Sequence, residues 1–164
     1  MFKVEIKAET LKSIVYSAST ITDEVKLVVS SKGISIRAVD VGHIAMVDID
    51  ISAAAFTIYE VDDCQIGLDL EKLKSVLKLA DSMDTVYMEH SADQGNMTVR
   101  IGNITRRMGL IDTSSMNDVK IPPLDIQNSI KIASEQIKKG IRASESIAES
   151  ITVSADETGF ELIC

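Results

Sequence analysis

The strongest constraint on this chain is its self-similarity. Three helical patterns, "ETLKSIVYSA" from Glu9, "EKLKSVLKLA" from Glu71 and "EQIKKGIRAS" from Glu135, begin 62 and 64 residues apart. Glu9, Leu11, Lys12, Ser13 and Ala18 return as Glu71, Leu73, Lys74, Ser75 and Ala80; the third copy keeps Glu135, Ile137, Lys138 and Ile141. A repeat of this length is one supersecondary unit that cannot bury its apolar face alone, so the copies must pack on one another.

The unit reads strand, helix, strand, strand, strand. Short alternating stretches, "FKVEIKA", "CQIGLDL" and "SIKIA", precede the helices. Hairpin patterns follow in "KLVVSSKGISIRAV", "TVYMEHSADQGNMTVRI" and "ITVSADETGFELI", where Gly33, Gly95 and Gly159 are expected to supply the positive backbone angle of the turns. Closing strands are expected at "IAMVDIDI" from Ile44 and "ITRRMGLI" from Ile104, whereas the third copy reaches Cys164 before one begins. The fold class is therefore α+β. The expected domains are 1–116, made of units 1–52 and 64–112, then a connector at 117–127 and an incomplete second domain at 128–164.

With 164 residues, 45% of them hydrophobic, the chain can build a core. The longest uncharged apolar run, "ISAAAFTIY", is too short to span a bilayer, and "MFKVEIKAE" lacks a signal-peptide core, so a cytosolic location is expected. Cys64 and Cys164 have neither CxxC spacing nor near neighbours, which points to reduced thiols. The formal net charge of -8 argues against a polyanion partner for the chain as a whole. Yet the three helical stretches, 9–21, 71–81 and 134–146, carry seven basic against five acidic residues, while the rest carries ten against twenty. The apolar stripes Leu11, Ile14, Val15, Ala18 and Leu73, Val76, Leu77, Ala80 must face the core. Lys12, Lys72, Lys74, Lys78, Lys138, Lys139 and Arg142 then lie on free faces, either merely solvated or turned toward phosphates.

Catalysis finds little support. His43 and His90, the only histidines, stand near no Ser or Cys nucleophile motif, and there is no Walker motif, GxGxxG or HExxH. Asp48 with Asp50, and Asp62 with Asp63, read as solvated strand or loop acids more simply than as metal ligands. No cofactor, metal or catalytic residue is expected. Both prolines, Pro122 and Pro123, fall in "NDVKIPPLDI", which they hold extended. Its apolar Val119, Ile121 and Leu124 suit a strap packed on a surface better than a solvated linker.

The start "MFKVEI", the stretch "IRAVDVGHIAMVDIDI", the helix "LEKLKSVLKLA" and the connector "VKIPP" together resemble the amino-terminal two thirds of a sliding clamp of the proliferating-cell-nuclear-antigen (PCNA) family, archaeal type. The resemblance implies a DNA-clamp fold in a ring-forming subunit that encircles duplex DNA without reading sequence. It implies replication and repair proteins that dock a short hydrophobic motif, a clamp loader, and a homotrimer for the full-length family member. A closed trimer is not expected of the 164-residue chain. It also implies a cytoplasmic location, or a nuclear one in a eukaryote. Carried over by position, the DNA-facing cations are Lys12, Lys74, Lys78, Lys138, Lys139 and Arg142. The peptide groove has Val39, His43, Ile44 and Met46 as floor and Val119, Ile121 and Pro122 as wall. The subunit interface is Ile104, Arg106, Met108 and Leu110, on an edge strand from Ile104 to Ile111. The competing reading is an acidic protein-interaction module that never touches DNA.

Overall fold

In the computed structural model, which describes every residue except 92–94, 122, 124, 157 and 158, the chain divides into two units, Met1–Ile121 and Pro122–Cys164. The division falls inside the stretch 117–127. Pro122 and Leu124 lie outside the described residues.

In the first unit the alternation of apolar and polar residues sets each strand's face. Strand β1 (Phe2–Lys7) buries Phe2, Val4 and Ile6 completely and turns Lys3, Glu5 and Lys7 away. Helix α1 (Ala8–Ala18) follows at once and buries Ala8, Leu11, Val15 and Ala18, with Ile14 partly covered at the margin. Strands β2 (Glu24–Ser30), β3 (Gly33–Val39) and β4 (Met46–Ser52) form a meander. The second repeat runs β6 (Cys64–Asp69), α2 (Leu70–Leu77), β7 (Thr85–His90), β8 (Asn96–Ile101) and β9 (Ile104–Gly109). Asp69 caps α2, its carboxylate accepting from the Lys72 amide at 2.9 Å, and that bond holds the carboxyl below its usual range.

The two repeats exchange their leading strands. β1 pairs antiparallel with β7, so it belongs to the sheet of the second repeat; β6 pairs with β2, in the sheet of the first. The resulting orders are β5-β1-β7-β8-β9 and β4-β3-β2-β6, where β5 is Ile58–Val61. β5 lies in residues 53–63, which the expected units 1–52 and 64–112 leave between them, and it adds to the free edge of β1. The helices and the inner faces of both sheets share one core, each buried aliphatic side chain contributing about 1.5–3 kcal/mol relative to exposure.

Gly33 has the expected positive φ, +148°, and a Cβ there would lie 2.0 Å from the Ile51 carbonyl oxygen on β4; the turns that end at Gly95 and Gly159 include residues outside those described. The left-handed position of the β8–β9 turn is Gly102, φ +55°. β4 starts at Met46 instead of Ile44, because Asp40 holds residues 40–45 in a closed turn.

The second unit carries α3 (Ser134–Glu145) and the hairpin β10 (Thr152–Asp156) with β11 (Gly159–Ile163). The expected leading strand "SIKIA" is not formed: residues 129–133 pair with no strand among the described residues. By the rule of the first unit, that strand's partner must come from another repeat. The unit is correspondingly open, Ser144 being its one buried residue among those described.

Candidate functional site

The groove is built by the chain leaving β9. The Leu110 amide donates to the Gly95 carbonyl at 3.0 Å and the Ile111 amide to the Gly67 carbonyl at 2.9 Å, which carries the backbone from one sheet to the edge of the other. The approach demands glycine, since a Cβ on Gly67 would stand 2.3 Å from the Ile111 carbonyl oxygen. Asp112 then caps a short 3-10 turn, Thr113–Ser115, accepting from the Ser114 amide at 2.9 Å, and is held below the usual carboxylate range by that bond.

From there residues 117–121 cross the outer face of the four-stranded sheet. Period-2 alternation and the ladder register put Gln65 and Gly67 of β6, Lys26 and Val28 of β2, Ser35, Arg37 and Val39 of β3, and Met46, Asp48 and Asp50 of β4 on that face. Lys26 is the anchor. Its Nζ donates to the Met116 carbonyl at 3.1 Å and pairs with the Asp118 carboxylate, leaving its side chain 11% exposed. The ammonium's hydrogen bond and charge lower the Asp118 pKa. Between strap and sheet lies a groove of about 530 Å³, lined by Lys26, Val28, Ser35, Arg37 and residues 117–121.

Beside it, the Asp40 carboxylate accepts from the amides of Ile44 and Ala45 at 2.8 Å each and of Gly42 at 3.1 Å. These bonds lower its pKa and fix a turn in which His43 adopts φ +55° and Ile44 stands 90% exposed. The structure thus sets Val39 and Met46, directly paired, on the strap's face, and His43 and Ile44 in the turn at its end. Val119 and Ile121 line the groove, but the residues directly beneath them are on β2 and the middle of β3. Sequence reasoning missed Lys26, Val28 and Arg37. The available signal was weak: Lys26 and Val28 are the outward positions of a strand whose inward ones are Val25, Leu27 and Val29. Pro122 lies outside the described residues.

The helix cations are not equivalent. Lys12 Nζ donates to the Ala80 carbonyl at 2.6 Å, holding α1 to the turn that follows α2. Lys74 Nζ pairs with Glu71 at 2.6 Å, which raises its pKa, and lies 5.8 Å from the Tyr16 ring centroid. Lys138 pairs with Glu135 at 3.2 Å. The side chains of Lys78, Lys139 and Arg142 are exposed and have no ion-pair partner among the described residues.

β9 is an edge strand over Ile104–Gly109, ending two residues short of the expected Ile111. Ile104, Arg106 and Met108 share a face with Ile101, Val99 and Met97. Met108 is 5% exposed and its side chain belongs to the unit's own core; Leu110 packs partly against the same core, while Ile104 and Arg106 are exposed.

A family model described as the proliferating cell nuclear antigen, N-terminal domain, matches residues 1–127. The chain belongs to the PCNA family. Relatives named DNA polymerase sliding clamp share this sequence: that of Picrophilus torridus is 34% identical and that of Methanosarcina barkeri 30%, each over 98% of this chain. The matches span 65% and 66% of those proteins, so the chain spans just under two thirds of their length. In a solved structure described as the C-terminal region of FEN-1 bound to A. fulgidus PCNA, a chain 27% identical matches with a TM-score of 0.93, over 99% of this chain and 66% of that one. A PCNA structure from Thermococcus kodakaraensis, 24% identical with a TM-score of 0.83, shares the fold. The architecture is the α+β sliding-clamp fold of PCNA.

Proposed function

We propose that the chain is the greater part of a DNA polymerase sliding-clamp subunit, which holds polymerases and repair enzymes on duplex DNA and does no chemistry itself. The observation that carries this reading is the strap anchored by Lys26 over the outer sheet face. It leaves a groove in which Val28, Val119 and Ile121 lie among polar and charged side chains, beside exposed Ile44, and which could take a short hydrophobic motif in extended or helical form. The solved PCNA structure with a bound FEN-1 segment supports a peptide as the occupant. Docked proteins would include the clamp loader and replication and repair enzymes. In the first unit α1 and α2 lie on the side of the four-stranded sheet away from the strap, and Lys78 there would make exchangeable phosphate contacts without reading bases, as would Lys139 and Arg142 on α3 of the second unit. Ile104 and Arg106 on the β9 edge would contribute one side of the homotrimer joint of a full-length subunit. In an archaeal cell the site of action would be the cytoplasm.

A peptide carrying one aliphatic and two aromatic anchors, followed by fluorescence anisotropy, tests the groove. Met46→Asp or Ile121→Asp should weaken binding roughly 30-fold, as for loss of an anchor contact of about 2 kcal/mol, with the fold intact by circular dichroism. Wild-type affinity in both variants refutes the site. The acidic interaction module without DNA is the second reading, favoured by the engagement of Lys12 and Lys74 within the unit. It predicts a bound peptide and no salt-dependent DNA association.

A further inference from the structure

The core that the first two repeats share is not completely filled. A cavity of about 30 Å³ lies inside it, against Leu11 and Val15 of α1, Leu68 of β6 and Met88 of β7, with Ile51 and Phe56 on its outer side. The first four are at most 6% exposed and the last two are partly buried. One water takes about 10–15 Å³ of such space, so room for water exists. Its chemistry is wrong for water: no polar atom of the described residues faces the cavity, and a buried water needs about two to four polar partners. The cavity is therefore dry.

One source of the space is legible in the repeat. Val15 of α1 matches Leu77 of α2, which is fully buried, so the side chain on α1 is the shorter one. The walls do not close over the difference, because they are fixed elsewhere. Lys12 ties α1 to the Ala80 carbonyl, and the Phe56 ring packs 4.9 Å from that of Tyr59, whose hydroxyl donates to the Ser30 carbonyl at 2.8 Å. Cores collapse only partly around missing volume, and side chains that face a void lose their dispersion contacts on that side.

We infer that this cavity is a binding site for one small, neutral, apolar guest of about the size of a xenon atom, without hydrogen-bonding groups. Such a guest restores dispersion contacts to walls that are already dry, whereas a polar or charged one would lose its hydration with nothing to replace it. The way in lies between β4 and β5, edge strands of the two sheets that the turn Ala53–Ala55 connects and that no ladder joins among the described residues. The inference is independent of the docking and DNA readings, since the cavity uses no residue of either.

Xenon is the probe, and the whole chain with isotope-labelled methyl groups is the sample. Methyl resonances of Leu11, Val15, Leu68 and Met88 should shift along a saturating curve as xenon pressure rises, while those of exposed Val28 and Ile44 drift in proportion to pressure. The urea midpoint of the first unit should rise with xenon, because a ligand of the folded state alone stabilises that state. Val15→Leu, which copies Leu77, should abolish both responses. Val15→Ile adds the same methylene in another direction and should do likewise; the wild-type curve decides if neither variant folds. Shifts at the cavity methyls that never saturate, an Overhauser contact between those methyls and a trapped water, or the full saturating response in every folded Val15 variant would overturn the inference.

Discussion

Lys26 and Asp118, 92 residues apart, form the ion pair that ties the strap to the sheet it crosses. The Lys26 ammonium also holds the Met116 carbonyl, so one largely covered side chain fixes the strap at two points. Lys26→Met should remove both bonds while keeping the stem's packing. Amides of residues 117–121 should then exchange with solvent several-fold faster, and peptide affinity should fall by about fivefold, the worth of a hydrogen bond of about 1 kcal/mol. The unfolding midpoint of the first unit should stay put.

The pair also sets a pH dependence. Asp118 titrates below its ordinary value of 3.8, because the folded state binds its carboxylate form through Lys26. Its contribution is complete above 3.8 and disappears as the pH falls through the lower, folded value. The Ile121 amide resonance should therefore hold its position from neutral pH through the ordinary carboxylate range and move only in stronger acid. In Asp118→Asn that acid transition should be absent.

The turn at residues 40–45 depends on three bonds to one carboxylate. Asp40→Ala should release it, visible as loss of protection at the Ile44 and Ala45 amides and weaker peptide binding. Asp40→Asn keeps one carbonyl oxygen as an acceptor for those two amides and should fall between. Urea titration should show little change in the stability of the unit as a whole, since the turn is exposed.

Gly67→Ala places a methyl group 2.3 Å from the Ile111 carbonyl oxygen, a position backbone occupies and cannot easily leave. Destabilisation of about 1–3 kcal/mol is expected in urea unfolding. The strap's starting point should loosen with it.

Much of this was legible in the sequence because burial acts on every repeat alike. Leu11, Val15, Leu73 and Leu77 had to face inward whichever way the strands were joined. The strand exchange was not legible, since β1 and β6 carry the same alternating pattern and pair with equal ease in either sheet. Met108 shows the same limit: an apolar residue on an edge strand suits a subunit joint or a core, and only its pairing with Met97 decides for the core. Lys12 and Lys74 were read as free cations because a helix wheel does not show the Ala80 carbonyl or Glu71. The segment 129–133 has a strand's sequence and no strand's hydrogen bonds, because pairing depends on a partner and not on propensity alone.

In the proposed function the first unit has two working faces, and a pair of titrations followed by amide chemical shifts tests that division directly. A docking peptide should move Val28, Ser35, Val39, Met46, Val119 and Ile121 and leave α1 and α2 unchanged. A short duplex at low salt should move residues around Lys78 and leave the strap unchanged, with a salt slope near -0.9 per phosphate neutralised that Lys78→Glu flattens more than Lys74→Glu. Peptide and duplex shifting the same residues, or a duplex that moves nothing on the helices, would contradict it.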